Sequence, residues 1–239
     1  AEDGIRDKLV TGVQTCALPI YAEYQRLWAL VGVARVQLAR NQRPEALATY
    51  LKATALASAL APKFRSEEVR TGLFGDLQTA YDEALRLAVA QREFAAAWTL
   101  SEASRSRQLV DTLRDRADDQ VNAQTTLATL QGRLRPEEAV LEFHTVDDQL
   151  VMWVIRRDTL TARVLPVALA DLTREVDDFR RSIIERRRDA LSRGQALYAK
   201  LVAGNELGNA SRVFVVPHGP LHYLPFQALH DGQIGRAHV

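Results

Sequence analysis

The sequence contains a single cysteine in 239 residues, Cys16, and the stretch from residue 21 to residue 232 contains none. This scarcity excludes a disulfide framework, a cysteine-based zinc site and a cysteine nucleophile within residues 21–232. Long apolar runs are also missing, because no run reaches the roughly 18 residues that a membrane span requires. Charge of one sign is not in excess either. The formal net charge is +1 at pH 7, so the composition does not call for a nucleic acid or an anionic membrane as partner.

The two ends of the chain differ in character from the rest. Residues 1–7 read AEDGIRD, residues 10–20 read VTGVQTCALPI, and residues 233–239 read QIGRAHV. These strings resemble in-frame translations of short-read sequencing adapters. The N-terminal stretch has no apolar period, and its acidic start argues against a secretory signal peptide. We therefore expect residues 1–20 and 233–239 to be non-native, and the natural protein to occupy residues 21–232.

Residues 21–116 are rich in alanine, leucine, arginine and glutamate, and their apolar residues recur every three to four positions. The pattern predicts four helices, with breaks at 41–44, near Pro62 and at 91–93. Pro44 suits the first turn of the second helix, because its missing N–H has no intrahelical partner there in any case. Ser66 is predicted to cap the third helix. The polar stretch 116–122 is predicted to be a loop.

Two of the predicted helices share a small-large-small pattern, formed by Ala46, Tyr50 and Ala53 in one helix and by Ala96, Leu100 and Ala103 in the other. This pattern resembles the second helix of a TPR unit, in which a small residue lets two paired helices approach closely. A two-helix unit cannot bury its own apolar face, so such units stack. The resemblance implies helical repeats that bind a protein or peptide partner. An ordinary helical bundle is the alternative.

The composition changes near residue 136, where β-branched residues begin to arrive in short runs. Three such runs, 139–146, 149–156 and 159–165, are joined by two-residue polar turns, which predicts an antiparallel meander. Next come an amphipathic helix from Leu169 to Ile183, a continuation of it or a second helix to about Gly204, and an apolar strand at Val213–Val216. A linker at 117–136, with a short helix at 125–134, separates the two parts.

The string VFVVPHGPLHYLPFQAL, residues 213–229, carries the strongest resemblance. It resembles the segment that follows the first core strand of CHAT domains, which are caspase- and separase-like domains commonly found behind TPR repeats. Residues 101–113 (SEASRSRQLVDTL) resemble the helix that links such repeats to the domain, and residues 139–166 resemble the meander that opens it. The implied fold is α+β. TPR-like antiparallel helical repeats over 21–116 precede the truncated first part of a caspase-like α/β domain over 137–232, with a β-meander, helices and the first core strand.

The CHAT resemblance implies a larger bacterial, cytoplasmic cysteine peptidase. In the family the nucleophilic cysteine lies near a base histidine that helps to populate its thiolate, and both residues come after the matched stretch. We therefore expect no catalytic residue, no cofactor and no metal ligand in this chain, and no peptidase activity from it alone. Neither a nucleic acid nor a membrane is expected as partner. The alternative is a non-enzymatic interaction scaffold, with repeats and a degenerate peptidase-like domain.

Three histidines are possible but weak site candidates. His218 and His222 have the four-residue spacing of a helical metal pair, but Gly219 and Pro220 lie between them and favour a turn. The turn itself would lie at the carboxyl end of a strand, where α/β domains place their sites. His144 follows Phe143 in a predicted strand, so it is expected on the polar face rather than as a ligand.

Two further sets of residues have simple structural readings. Arginines 180, 181 and 186–188 interleave with Asp177, Asp178, Glu185 and Asp189, which favours a solvated helix face with ion pairs over a nucleic-acid patch. The three tryptophans are predicted to be core or half-buried anchors. Trp28 and Trp98 also suit a peptide groove between repeats, and the sequence leaves that alternative open.

Overall fold

The computed structural model describes residues 22–60, 67–113, 126–204 and 207–232, and within these ranges it describes all side chains except those of 67–76 and 106–113. The chain divides into two compact units, Ala1–Gln124 and Thr125–Val239. The described part of the first unit consists of helices and short turns, and that of the second combines a four-stranded mixed sheet with helices. The architecture is therefore α+β, as the sequence predicts.

Four helices build the described part of the first unit: α1 (22–39), α2 (Arg43–Leu60), α3 (Glu67–Ala90) and α4 (Phe94–Leu113). Asn41 and Arg92, both at a φ of 60°, turn the chain sharply after α1 and α3. These positions confirm the predicted breaks at 41–44 and 91–93. The predictions for Pro62, Ser66 and the loop at 116–122 fall outside the described residues.

Small residues line the contacts that α3 makes with α2 and α4. Ala46 and Ala53 of α2 are buried on either side of the buried Tyr50, as the small-large-small pattern predicts. In α4 the pattern is displaced by one position. Ala97 is fully buried, whereas Ala96 is only half-buried, because the inward face of α4 runs through Ala97, Leu100, Ser101 and Ser104. The equivalence of Ala96 with Ala46 was therefore wrong, and TPR-like stacking stays a prediction.

The second unit consists of a helix, a meander, a helix pair and a last strand. Its elements are α5 (Leu127–Arg133), β1 (Glu138–Val146), β2 (Gln149–Ile155), β3 (Leu160–Pro166), α6 (Leu169–Ile184), α7 (Ala190–Leu201) and β4 (Arg212–Val216). The predicted meander is confirmed, because β1 pairs with β2 and β2 with β3, both antiparallel. The last strand, β4, pairs with β1 in parallel, which gives the strand order β3-β2-β1-β4.

One face of this sheet carries the core of the second unit. Alternate residues Ala139, Leu141 and Phe143 of β1 point to this face. They share one cluster with Leu172, Val176 and Phe179 of α6 and with Leu197 and Leu201 of α7. The opposite face is buried as well, since Val140, Val151, Trp153 and Ile155 are at most 5% exposed. Burial on both faces explains why β1 and β2 read as nearly continuous apolar runs. Among the described residues, no helix combines the length and apolar character that a membrane crossing requires.

Arg156, directly after β2, holds the loop that leads into β4. Its Nη1 donates to the carbonyl of Leu207 at 2.6 Å, and its Nη2 donates to the carbonyl of Pro136 at 3.0 Å and to Asn209 Oδ1 at 2.8 Å. Gly208 lies under this guanidinium with a φ of +59°, and a Cβ at that position would overlap Arg156 Nη1. The loop therefore depends on a glycine both for its backbone angle and for space.

We expect Gly208→Ala to lower the free energy of unfolding of the second unit by about 1–3 kcal/mol, because the left-handed backbone is strained and Arg156 must leave its acceptors. Urea denaturation followed by circular dichroism measures this loss. The matched control is Gly132→Ala, since a Cβ on Gly132 meets no atom within 4 Å and that glycine lies inside α5. The control should be neutral or slightly stabilising. Equal stability of the two variants would contradict the role given to Gly208.

Candidate functional site

The candidate site lies where two parallel strands end. Because β1 and β4 are parallel, their carboxyl ends lie at the same edge of the sheet, which is where open α/β sheets place their ligands. A short 3-10 helix, Gly219–Tyr223, begins just after β4 and packs against α6. Between them lies an open groove of about 600 Å³, the β1–β4 groove. It is lined by Thr145, Leu169, Thr173, Asp177, Arg180, His218, Gly219, Pro220 and Tyr223.

One stripe of α6 forms a wall of the groove, because Leu169, Thr173 and Asp177 follow each other at four-residue intervals. The Thr173 hydroxyl donates to the carbonyl of Leu169 at 2.7 Å, so it is bonded within the helix. Arg180 lies at the end of the stripe. Its guanidinium carbon is 5.3 Å from the centroid of the Tyr223 ring, and its Nη1 is 3.7 Å from Asp177 Oδ1. The wall thus begins at the apolar Leu169 and ends at the ion pair of Asp177 with Arg180.

The imidazole of His218 is fixed by Thr145. The backbone N–H of Thr145 donates to His218 Nδ1 at 3.1 Å, and the Thr145 hydroxyl is 2.8 Å from the same nitrogen. A backbone N–H is a donor only, so Nδ1 must accept and the neutral ring carries its proton on Nε2. Gly219 follows at a φ of +57°, which lets the chain turn directly after the histidine. His218, Gly219 and Pro220 therefore form the predicted turn.

The structure separates His218 from His222. His222 lies in the 3-10 helix and is exposed, whereas His218 is half-buried beside Thr145. The helical metal pair that the spacing allowed does not form. Within the described ranges, no group of three or more histidine, cysteine, aspartate or glutamate side chains is arranged to hold a metal ion.

The partner of His218 is His144, which the sequence analysis placed on a polar face. That prediction was wrong, because His144 is only 5% exposed and both faces of β1 are buried. Its ring stacks on that of His218, with centroids 4.1 Å apart and planes inclined by 20°. The last pair of the β1–β4 register is Glu142 with Val216, and each histidine lies two residues beyond it. The two histidines are brought together by the parallel register of β1 and β4, and no local feature of the sequence predicts that register.

The arginine cluster has the predicted solvated character. Arg180 and Arg181 pair with Asp177 and Asp178, three residues earlier on α6, at 3.7 and 4.0 Å. Arg193 of α7 donates to Asp189 at 2.7 Å and reaches Asp178 at 3.3 Å. This hydrogen bond from Arg193 is the main reason why the pKa of Asp189 lies below its usual value. The acids neutralise the cluster locally, so it is a mixed ion-pair surface.

The tryptophan prediction is confirmed. Trp98 and Trp153 are at most 1% exposed, and Trp28 is half-buried with its ring edge-on to Tyr24 at 6.2 Å. All three serve as packing anchors within their own units.

The groove can bind a ligand, but its own residues do not assemble a nucleophile. None of its nine lining residues is a cysteine. The Thr145 hydroxyl does reach an imidazole nitrogen, but that nitrogen already accepts the Thr145 backbone N–H, so it is a poor base. The arrangement is suited to holding a peptide or small molecule by apolar contact and by hydrogen bonds at its charged end. No family model, no curated protein and no solved structure matches this chain.

Proposed function

We propose that this chain is part of a CHAT-type cysteine peptidase of the bacterial cytoplasm, in which helical repeats bind a protein or peptide partner. The observation that carries the proposal is the parallel addition of β4 to the meander. A meander alone is an antiparallel sheet, in which the carboxyl ends of neighbouring strands lie at opposite edges. The parallel strand creates a carboxyl edge, and a groove lies there. The order of a helical unit, a meander, a helix pair and a parallel strand agrees with the CHAT resemblance of the sequence.

In this proposal the chain contributes the frame of the site and not its reacting groups. A cysteine peptidase requires a thiolate beside an imidazole. Residues 21–232 contain no cysteine, so we assign the nucleophile and its base to the part of the parent protein that follows residue 232. The chain by itself is then inert as a peptidase.

The helical unit is the proposed binding module. α1 exposes apolar side chains, with Val33 49%, Val36 51% and Leu38 38% exposed. Exposed apolar residues that cluster on one element favour a protein partner. The near-zero net charge does not favour a nucleic acid or a membrane.

The test is a comparison between the full-length gene product and residues 21–232. Both are treated with a thiol-reactive peptide probe and analysed by mass spectrometry. We expect the full-length protein to be labelled at a cysteine encoded after residue 232, and substitution of that cysteine by alanine to abolish labelling and peptide hydrolysis. The short chain should remain unlabelled.

A non-enzymatic scaffold is the second candidate, and it is favoured by the exposed apolar side chains of α1 together with a groove without a nucleophile. The same experiment separates the two functions. A full-length protein without a histidine–cysteine pair after residue 232, and without labelling, would overturn the peptidase proposal. Retained partner binding in that protein would then support the scaffold.

A further inference from the structure

The stacked rings of His144 and His218 lie across the point where β1 and β4 separate. The two strands remain paired as far as Glu142 and Val216, and the rings meet two residues later. His144 is buried, and His218 is tied to the backbone of β1 through the Thr145 N–H. The ring pair therefore joins the ends of β1 and β4 at the edge where Thr145 and His218 line the groove.

This junction depends on the protonation state of the pair. As long as the Thr145 N–H points at His218 Nδ1, that nitrogen cannot carry a proton. An imidazolium at His218 must break this hydrogen bond. Two imidazolium rings at a centroid distance of 4.1 Å would also place two positive charges in direct contact, one of them on a buried side chain.

The charged groups around the pair favour a single positive charge and not two. Glu142 is buried on the same face of β1, two residues before His144, and it offers one negative charge. On β2, the residue opposite His144 is the apolar Val151. On the α6 side of His218, Asp177 and Arg180 line the groove and pair with each other, and Tyr223 lines the groove beside them.

We propose that the His144–His218 stack is an acid-sensitive lock that holds the groove-lining segment Gly219–Tyr223 in place beside β1. Near pH 7 the rings stay stacked and this segment keeps its position. As the pH falls below about 6.5, the intrinsic value for a free imidazole, the open state takes up a proton that the stacked state refuses. The state with stacked rings is therefore fully stabilised above that pH, and its population falls as the pH drops below it. His218 then leaves Thr145, and the segment Gly219–Tyr223 loses its hydrogen-bonded link to β1. This inference does not depend on the peptidase proposal, because it concerns backbone protection and not hydrolysis.

Hydrogen-exchange mass spectrometry of the full chain at pH 7 and pH 5, corrected for the intrinsic exchange rate, tests the lock. We expect the peptide that covers β4 and the 3-10 helix to lose protection by about 30-fold at pH 5, since one proton is taken up over roughly 1.5 pH units. Peptides from β2 and α7 should keep their protection. An equal loss in all peptides would mean global acid unfolding and would overturn the proposal, as would no loss at all.

Matched variants identify the rings responsible. His144→Phe retains a stacked ring that takes no proton, so it removes the repulsion between two charged rings but leaves the protonation of His218. Its β4 peptide should therefore lose clearly less protection at pH 5 than that of the unaltered chain. His222→Gln changes an exposed histidine outside the stack and should lose protection as the unaltered chain does. Loss of protection in His144→Phe equal to that in the unaltered chain would overturn the proposal.

A second readout uses the unaltered chain and does not depend on the folding of any variant. NMR titration of the histidine Cε1–Hε1 signals should show the two stacked rings titrating in separate steps, more than one pH unit apart. Titration of the two stacked rings in a single step near pH 6.5 would overturn the lock.

Discussion

Replacing Phe179 with alanine is expected to lower the free energy of unfolding of the second unit by about 3–5 kcal/mol, the usual cost of removing a buried aromatic ring. Phe179 is 1% exposed and belongs to the cluster that α6 and α7 share with the sheet. Its ring lies so close to Gly194 of α7 that a Cβ there would be 3.1 Å from Phe179 Cε2. Such close packing leaves little room for neighbours to collapse into the cavity, so we expect the full cost.

The substitution should also affect the groove. α6 supplies one wall through Leu169, Thr173 and Asp177, and Phe179 anchors the same helix in the core directly before Arg180. Loosening of α6 should therefore shift this wall even where the sheet still folds. The stability of Phe179→Ala is therefore also a measure of how firmly α6 holds its wall of the groove.

Hydrogen exchange of peptides from β1 and β2, measured under conditions where exchange reports the opening equilibrium, gives the stability of the second unit alone. Ile184→Ala is the matched control, because Ile184 belongs to the same helix and is 75% exposed. Its effect should stay within about 0.5 kcal/mol. If both variants opened with the same free energy, the burial of Phe179 would not stabilise the second unit.

The elements that could be predicted from sequence are those with local signals. The two-residue turn Asp147–Asp148 between alternating runs predicts a hairpin, and Asp147 indeed adopts a left-handed φ of 49° there. The helix from Leu169 to Ile183 was predictable because its apolar stripe has the period of an α-helix. Pro44 and the breaks at 41–44 and 91–93 were equally local.

The turn at residues 218–220 was predicted at the carboxyl end of a strand, but the contacts that complete the candidate site could not be predicted, because they join distant parts of the chain. The pairing of β4 with β1 joins residues more than 70 positions apart, and no turn or spacing specifies it. The burial of His144 follows from this pairing and from the burial of both faces of β1. The one-residue displacement at Ala97 has a similar origin, since which face of a helix points inward is decided by its neighbours.

The second large effect is expected in the helical unit at alkaline pH. Arg35 of α1 donates from Nε and Nη2 to the two oxygens of Glu83 of α3, both at 3.0 Å. The hydroxyl of Tyr50 of α2 donates to Glu83 Oε2 at 2.7 Å. This network ties three helices together.

Burial, and then the hydrogen bond to the Glu83 carboxylate, raise the pKa of Tyr50 to about 12. Burial opposes the charge on Glu83, but the hydrogen bonds from Arg35 and Tyr50 outweigh it and lower the pKa of Glu83.

The raised pKa of Tyr50 sets the direction of the pH dependence. The unfolded chain releases the phenol proton near pH 10, and the folded chain holds it to about pH 12. The stabilising contribution is thus complete below pH 10 and is lost between pH 10 and 12, by at most about 3 kcal/mol. For Glu83, whose pKa is lowered, the stabilising contribution is present at neutral pH and is lost as the solution becomes acidic.

We expect Tyr50→Phe to be less stable than the unaltered chain by about 1–2 kcal/mol at pH 7, because it loses a hydrogen bond to a carboxylate. Between pH 10 and 12 the difference should shrink, reach zero and then reverse in sign, because the unaltered chain loses up to about 3 kcal/mol there and phenylalanine has no proton to lose. Urea denaturation of both proteins across this range gives the difference directly, and the titration of all other groups cancels.

Glu83→Gln separates the two causes of the raised pKa. The amide oxygen still accepts from the Tyr50 hydroxyl, but the negative charge is gone, so burial and a weaker hydrogen bond continue to hold the proton on Tyr50. The alkaline loss should therefore persist in this variant in a smaller form. Because burial is the larger cause, complete disappearance of the loss would show that the charge of Glu83 dominates instead. The opposite result is a stability difference between Tyr50→Phe and the unaltered chain that stays constant from pH 7 to pH 12. That result would show that ionisation of Tyr50 does not change the stability of the helical unit.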